Sequence, residues 1–237
     1  QKYSLIGFII LMAVWSSTDI RYVKILSLAS SALFLALNLV MLLASGASIG
    51  DYLGSLASIQ GYFQNIHRFL SPISDYHGWY LFWWFAWSIM IGQFVARFVG
   101  GLKVWQLMLA LLVIPSIAIG LWFATLYYYY ANDIPVSGML NAAMVMVGIL
   151  FVINSLDSLV RLYTDNLGLG VERLGRGKYV LGNWLLIASL VLLYQFTPLK
   201  IEWVGLTVIG LYLVIYILLF KGRRIVAERF TVEQNAI

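Results

Sequence analysis

The chain has 237 residues, 62% of them hydrophobic and 11% charged, with a mean hydropathy of +0.89. A soluble domain carries about 25% charged residues, so a water-soluble globule is excluded, and the long apolar runs exclude the short alternating strands of a β-barrel. The formal net charge of +5 comes from Lys and Arg scattered between apolar runs, and there is no cysteine; this pattern suits membrane topology, not nucleic-acid binding, and rules out disulfides and Cys-ligated metal.

The first apolar run, Leu5 to Trp15, is short for a span. It starts almost at Gln1 with no signal-peptide pattern before it, as expected of a piece of a longer protein. Ser16 to Lys24 is a polar turn, and Ile25 to Ala44 is a second run of about twenty residues, enough to cross a bilayer. Its Ala29, Ser30, Ser31, Ala32 and Ala36 permit close helix contact. Gly46 to Asp75 mixes Asp51, Gln60, Gln64, Asn65, His67 and Arg68 with apolar residues at roughly helical spacing, and predicts an amphipathic helix or pair on the membrane surface, ended by Pro72. The third span is Trp79 to Val99. The fourth, Val104 to Tyr128, has Pro115 in its middle and should kink there. Asn132-Asp133-Ile134-Pro135 is a turn. The fifth span is Met139 to Tyr163, then a basic loop with Arg173, Arg176 and Lys178, then Tyr179 to Phe196 and Ile201 to Phe220, and a charged tail from Lys221. The fold class is therefore an all-α polytopic membrane protein with about seven transmembrane helices and a surface amphipathic helix. Seven alternations put Arg21, Lys24, Arg97, Lys103, the 173–178 loop and the tail on one side, against Lys2, Arg68 and Lys200 on the other. That bias places the C-terminus in the cytoplasm and the surface helix outside.

Two stretches carry possible chemistry. Trp79, Trp83, Trp84 and Trp87 fall within nine residues. On a helix Trp83 and Trp87 share a face, and Trp84 and Trp87 are neighbours. On spacing alone these rings fit either an interfacial belt with core packing or a cation-binding wall, because an indole face attracts quaternary ammonium groups. Trp79 and Tyr80 go to the belt. In the fifth span, Asp157 and Arg161 are four apart, as are Arg161 and Asp165, which fits a helix-end ion-pair ladder with Arg161 reaching to the surface. Asn154 and Ser155 lie deeper, where their oxygens suit a small hard cation such as sodium or hydrogen bonds between helices. His67 and His77 read as surface residues. No Ser-His-Asp set, zinc-type spacing or phosphate-cradling loop is present, and nothing points to an enzyme.

Several separated stretches resemble the betaine/choline/carnitine transporters. They are Lys24-Ile25-Leu26-Ser27, Ile49-Gly50-Asp51-Tyr52-Leu53, and Tyr80 to Gly92 with its Trp83-Trp84-Phe85-Ala86-Trp87-Ser88. Phe94-Val95-Ala96-Arg97, Pro115 with Leu121-Trp122-Phe123, and Ser155-Leu156-Asp157-Ser158 follow in order. The resemblance implies part of an inverted-repeat, LeuT-like fold, with this chain holding helices six to twelve of twelve. Residues 1–45 would end the first repeat, 46–77 form the outer connector, 78–220 the second five-helix repeat and 221–237 a cytoplasmic tail. It implies that Trp83, Trp84 and Trp87 line the substrate path and contact a trimethylammonium group. It also implies that Phe151, Asn154 and Ser155 stand at sodium-site positions, with Asn154 where the family usually has Thr. Ile89 replaces a frequent Pro and Lys103 a usual Arg.

The function this implies is secondary transport of a glycine betaine, choline or carnitine type of compound by alternating access. The chain would carry about half of the substrate site and need the missing N-terminal helices of the same protein, in the lipid bilayer of a bacterial inner membrane. A sodium ion is the candidate coupling ion, a homotrimer the expected assembly, and no nucleic acid is involved. Two other readings stand beside it: a non-transporting membrane subunit or sensor of the same fold, and an inverted-repeat transporter for another cationic or amino-acid substrate.

Overall fold

The computed structural model describes residues 2–69, 71 and 73–234, and their side chains apart from those of 94, 96–98 and 223–234. Pro72, the side chains of Phe94, Ala96 and Arg97, and those of the charged tail from Arg223 on lie outside the described residues. Ten α-helices follow in order among the described residues: α1 (Lys2–Ser16), α2 (Ile20–Ala44), α3 (Ile49–Ala57), α4 (Gln60–Gln64), α5 (Asp75–Phe98), α6 (Val104–Ala131), α7 (Gly138–Asn166), α8 (Val171–Leu174), α9 (Arg176–Phe196) and α10 (Ile201–Gln234). Helix is what apolar runs must adopt in lipid, where every backbone N–H and C=O has to be satisfied within its own segment.

Five of these are long and apolar enough to cross a membrane: α2, α6, α7, α9 and the Ile201–Gly222 part of α10. The two other expected spans are helical as well. α1 has 15 residues, short of the about 20 that a crossing takes. α5 is long enough at 24 residues. α6 runs unbroken through Pro115. The charge at Lys221 does not end α10, which continues as helix to Gln234.

The segment between α2 and α5 holds a pair of short helices and one further turn. It consists of α3, α4 and a 3₁₀ turn at Ile66–Phe69. Ser48 and Asp51 start α3 with a reciprocal cap, the Ser48 hydroxyl accepting the Asp51 amide and the Asp51 carboxylate accepting the Ser48 amide. These Ser48 contacts hold the Asp51 carboxyl below its usual range. The segment also packs on α6, where Tyr52 donates its hydroxyl to the Leu121 carbonyl at 3.1 Å.

Helix ends follow from local chemistry. Asp19 caps α2 by accepting the Arg21 amide at 2.9 Å. α7 closes with the Leu169 amide on the Thr164 carbonyl at 2.8 Å and the Gly168 amide on Asp165 at 3.2 Å. That closure needs a left-handed residue, and Gly168 supplies it at φ 64°. α6 ends the same way through Ile134 on Tyr129 at 2.9 Å, with Asp133 at φ 50° in the left-handed place.

Contacts divide the chain into two compact units, Gln1–His67 with Val99–Phe196, and Arg68–Phe98 with Thr197–Ile237. In the first, α1 packs against α7 and α9, and α2 against α6 and α7. Ile10, Val14, Val160, Tyr179 and Ile187 form one buried cluster; Leu37, Met41, Tyr129 and Val147 form the other. Apolar burial does little to hold helices together in lipid, so the hydrogen bonds between them matter. Thr125 donates to Asn38 Oδ1 at 2.5 Å, both buried, and Tyr129 donates to the Met41 carbonyl at 2.7 Å. In the second unit α5 packs along α10. Gly205 makes this possible, since a Cβ there would lie 2.8 Å from the Phe82 ring. Ser88 and Tyr212 share a hydrogen bond at 2.8 Å on the same seam.

Candidate functional site

The four tryptophans lie on α5, which starts at Asp75, four residues before the expected span. His77 secures its start. Its Nδ1 accepts the Ile73 amide at 3.2 Å, and its ring stands edge-on to Phe69 at 5.5 Å. With no side chain that breaks helix between Trp79 and Trp87, the rings fall at helical spacing. Trp83 is the centre of the group. Its ring centroid is 5.1 Å from Trp84 at 73°, 5.5 Å from Trp87 at 53° and 6.2 Å from Trp79 at 11°. These separations are those of favourable edge-on and offset-stacked pairs. The expected Trp84–Trp87 neighbour contact is absent from the ring contacts of the described residues, because Trp84 turns outward and is half exposed while Trp87 is partly buried. Trp79, assigned to the belt, stacks on Trp83 as well as reaching the exposed surface, so four indoles and not three make the cluster, with Tyr80 edge-on to both Trp79 and Trp83.

The polar residues of the fifth span lie on α7, in the other unit. Phe151 meets Phe34 of α2 edge-on at 5.7 Å and belongs to the apolar cluster around Leu37 and Met41. Asn154 Oδ1 is buried without a hydrogen-bond partner. A buried amide oxygen left unpaired costs about 1–3 kcal/mol, and an oxygen-seeking cation is one group that satisfies it. Ser155, next in sequence, is partly buried. Among the described residues no group of three or more His, Cys, Asp or Glu gathers.

The expected ladder is corrected at its upper rung. Asp157 is fully buried and takes the Ser16 hydroxyl at 2.6 Å and the Ser158 hydroxyl at 3.1 Å, and not the Arg161 guanidinium. Arg161 pairs with Asp165 at 3.2 Å and donates to the Ser17 carbonyl at 3.5 Å. The reason is the α1–α2 turn, which packs onto α7 and supplies both hydroxyl and carbonyl at that level. Ser17 and Thr164 both share hydrogen bonds with the hydroxyl of the buried Tyr179, at 3.1 and 3.2 Å. Tyr163 donates to Asn183. This network ties α1, α7 and α9 together, and the sequence reading missed it. Its one local signal is Ser16-Ser17 directly after an apolar run.

The model of the betaine/carnitine/choline family of transporters matches residues 2–129. Among curated proteins, the glycine betaine transporter 1 of Vibrio parahaemolyticus is 31% identical over 99 residues, 38% of this chain and 18% of that protein. The high-affinity choline transport protein of Escherichia coli K12 is 31% identical over 137 residues, 52% and 20%. A glycine betaine transporter of Bacillus subtilis is 29% identical over 150 residues, 59% and 29%. The matches thus span less than a third of these relatives' length. No solved structure matches the chain. The family match contains the α5 tryptophans and ends before Phe151, Asn154 and Ser155.

Proposed function

The chain belongs to the betaine/carnitine/choline family of transporters, and we propose that it forms part of a secondary transporter that moves a quaternary ammonium compound of the glycine betaine, choline or carnitine type across the membrane by alternating access. The observation that carries this is the ring cluster centred on Trp83, within the segment the family model matches. Indole faces attract a trimethylammonium group that water holds weakly, at about 0.5–2 kcal/mol per contact depending on desolvation. In this proposal Trp83, Trp84 and Trp87 form one wall of the substrate path, and about half of the complete site lies on this chain.

The proposed architecture is the inverted-repeat, LeuT-like one, with α1, α2, α5, α6, α7, α9 and α10 as seven spans and the basic loops and C-terminus in the cytoplasm. A coupling sodium ion fits the unpaired oxygen of Asn154, with Ser155 beside it in sequence. Such an ion supplies positive charge that favours one arrangement of the helices around it. Asn154 and Ser155 offer neutral oxygens, and their part is to hold it.

The test is uptake of labelled choline and glycine betaine by cells that lack their own uptake systems and express the full-length protein. Saturable uptake supports transport; binding without uptake supports a non-transporting sensor of the same family. Repeating the assay with external sodium replaced by potassium, in wild type and Asn154→Ala, tests the ion. Sodium-stimulated uptake that Asn154→Ala abolishes supports the assignment, and sodium-stimulated uptake indifferent to Asn154→Ala contradicts it.

A further inference from the structure

Within the first unit, α1 and α9 leave a groove of about 540 Å³ between them, lined by Leu11, Trp15, Val180, Leu181 and Trp184, with Gly177 adding no side chain. Trp184 forms its far end and is fixed there by donating its indole N–H to the Gly7 carbonyl at 2.8 Å. The wall of the groove is apolar throughout, and the Arg176 guanidinium stands beyond its opposite end. The Arg176 guanidinium lies over the Trp15 ring, 4.1 Å from its centroid. Stacking occupies the flat face of the guanidinium and leaves its five in-plane N–H donors free. Among the described residues no hydrogen bond or ion pair occupies them. Arg176 belongs to a basic segment, with Arg173 and Lys178 also exposed and Glu172 the one acidic residue between 172 and 178.

The length of the groove suits a lipid chain. Arg176 and Trp184 are eight residues apart on one helix, about 12 Å along its axis at 1.5 Å per residue. One leaflet of a bilayer's hydrocarbon core is about 15 Å deep. A volume of about 540 Å³ over that length is a channel roughly 8 Å across, wide enough for one hydrocarbon chain. We infer that this groove binds an anionic phospholipid, one acyl chain lying between α1 and α9 and the phosphate held by the in-plane N–H groups of Arg176. A phosphate fits a guanidinium fork better than it fits an ammonium group, and the surplus of basic residues beside it favours a headgroup with net negative charge.

The experiment uses the purified full-length transporter, reconstituted in nanodiscs of equal phosphatidylglycerol and phosphatidylethanolamine, with retained lipid counted by native mass spectrometry. The wild type is expected to retain phosphatidylglycerol in preference to phosphatidylethanolamine. Arg176→Gln should lower that retention about fivefold or more, and Arg176→Lys by less. Leu181→Trp fills the groove at a position that is 59% exposed, so folding tolerates it, and should lower retention without altering charge. A photo-reactive label on Leu181→Cys should cross-link to lipid. Retention unchanged in both Arg176→Gln and Leu181→Trp, equal retention of the two phospholipids by wild type, or cross-linking of position 181 to another protein segment each overturns the assignment.

Discussion

Gly205→Ala tests the seam between α5 and α10. The added Cβ would lie 2.8 Å from Phe82 Cδ1, 2.9 Å from the Phe82 backbone oxygen and 3.0 Å from Phe82 Cβ. Carbon atoms in contact prefer about 3.5–4.0 Å. The ring can swing aside, but the backbone oxygen and Cβ cannot leave without moving α5, so α10 must shift outward. Overpacking of this kind costs about 1–3 kcal/mol, roughly a 5- to 160-fold change in the balance between paired and separated helices. The Ser88–Tyr212 hydrogen bond on the same seam should be lost with it. Gly210→Ala is the control, since nothing lies within 4 Å of its Cβ position and alanine favours helix over glycine by about 1 kcal/mol. In thermal unfolding of the full-length protein in detergent, followed by size-exclusion of the surviving fraction, Gly205→Ala should melt about 2–10 °C lower and Gly210→Ala at or slightly above wild type. Equal melting of Gly205→Ala and wild type, or an equal loss in both variants, refutes the packing described.

Other consequences concern the first unit. Asp157→Ala removes the acceptor of the buried Ser16 hydroxyl at 2.6 Å and should cost about 1–3 kcal/mol, whereas Asp157→Asn keeps an acceptor and should cost less; the same melting assay separates the two, and equal loss would contradict a hydrogen-bonding role. Thr125→Val leaves Asn38 Oδ1 without its 2.5 Å donor and should lose about 0.6–1.7 kcal/mol, the range for hydrogen bonds between membrane helices. A double variant Thr125→Val with Asn38→Leu should recover part of that loss.

The long helices were legible because apolar runs must be helical in lipid, and charges punctuate them. The end of α6 was legible too, in the turn at Asp133, a residue tolerant of left-handed backbone that follows the last helical turn. The α10 extension was not, because charge at Lys221 marks where a membrane ends and not where a helix does. Local spacing paired Asp157 with Arg161, the only partner visible one turn away. Its actual partner, Ser16, is 141 residues distant in the chain, and that pairing exists only because α1 docks on α7. The tryptophans divide in the same manner. Their spacing showed that Trp83 and Trp87 share a face, but the outward turn of Trp84 and the stacking of Trp79 on Trp83 depend on rotamers that spacing leaves open. Asn154 was visible as a polar residue at membrane depth, while its lack of a partner emerges only when the helices around it are in place.

The most direct measurement is concentration-dependent uptake of labelled choline and glycine betaine by the full-length transporter, in wild type and in Trp83→Ala, Trp84→Ala and Trp87→Ala, with Trp79→Phe as a control that keeps an aromatic ring. Loss of one cation–π contact of about 1–2 kcal/mol should raise the half-saturating concentration roughly 5- to 30-fold at unchanged surface expression, with Trp79→Phe near wild type. Saturation curves in which all three alanine variants coincide with wild type would contradict a quaternary ammonium site on α5.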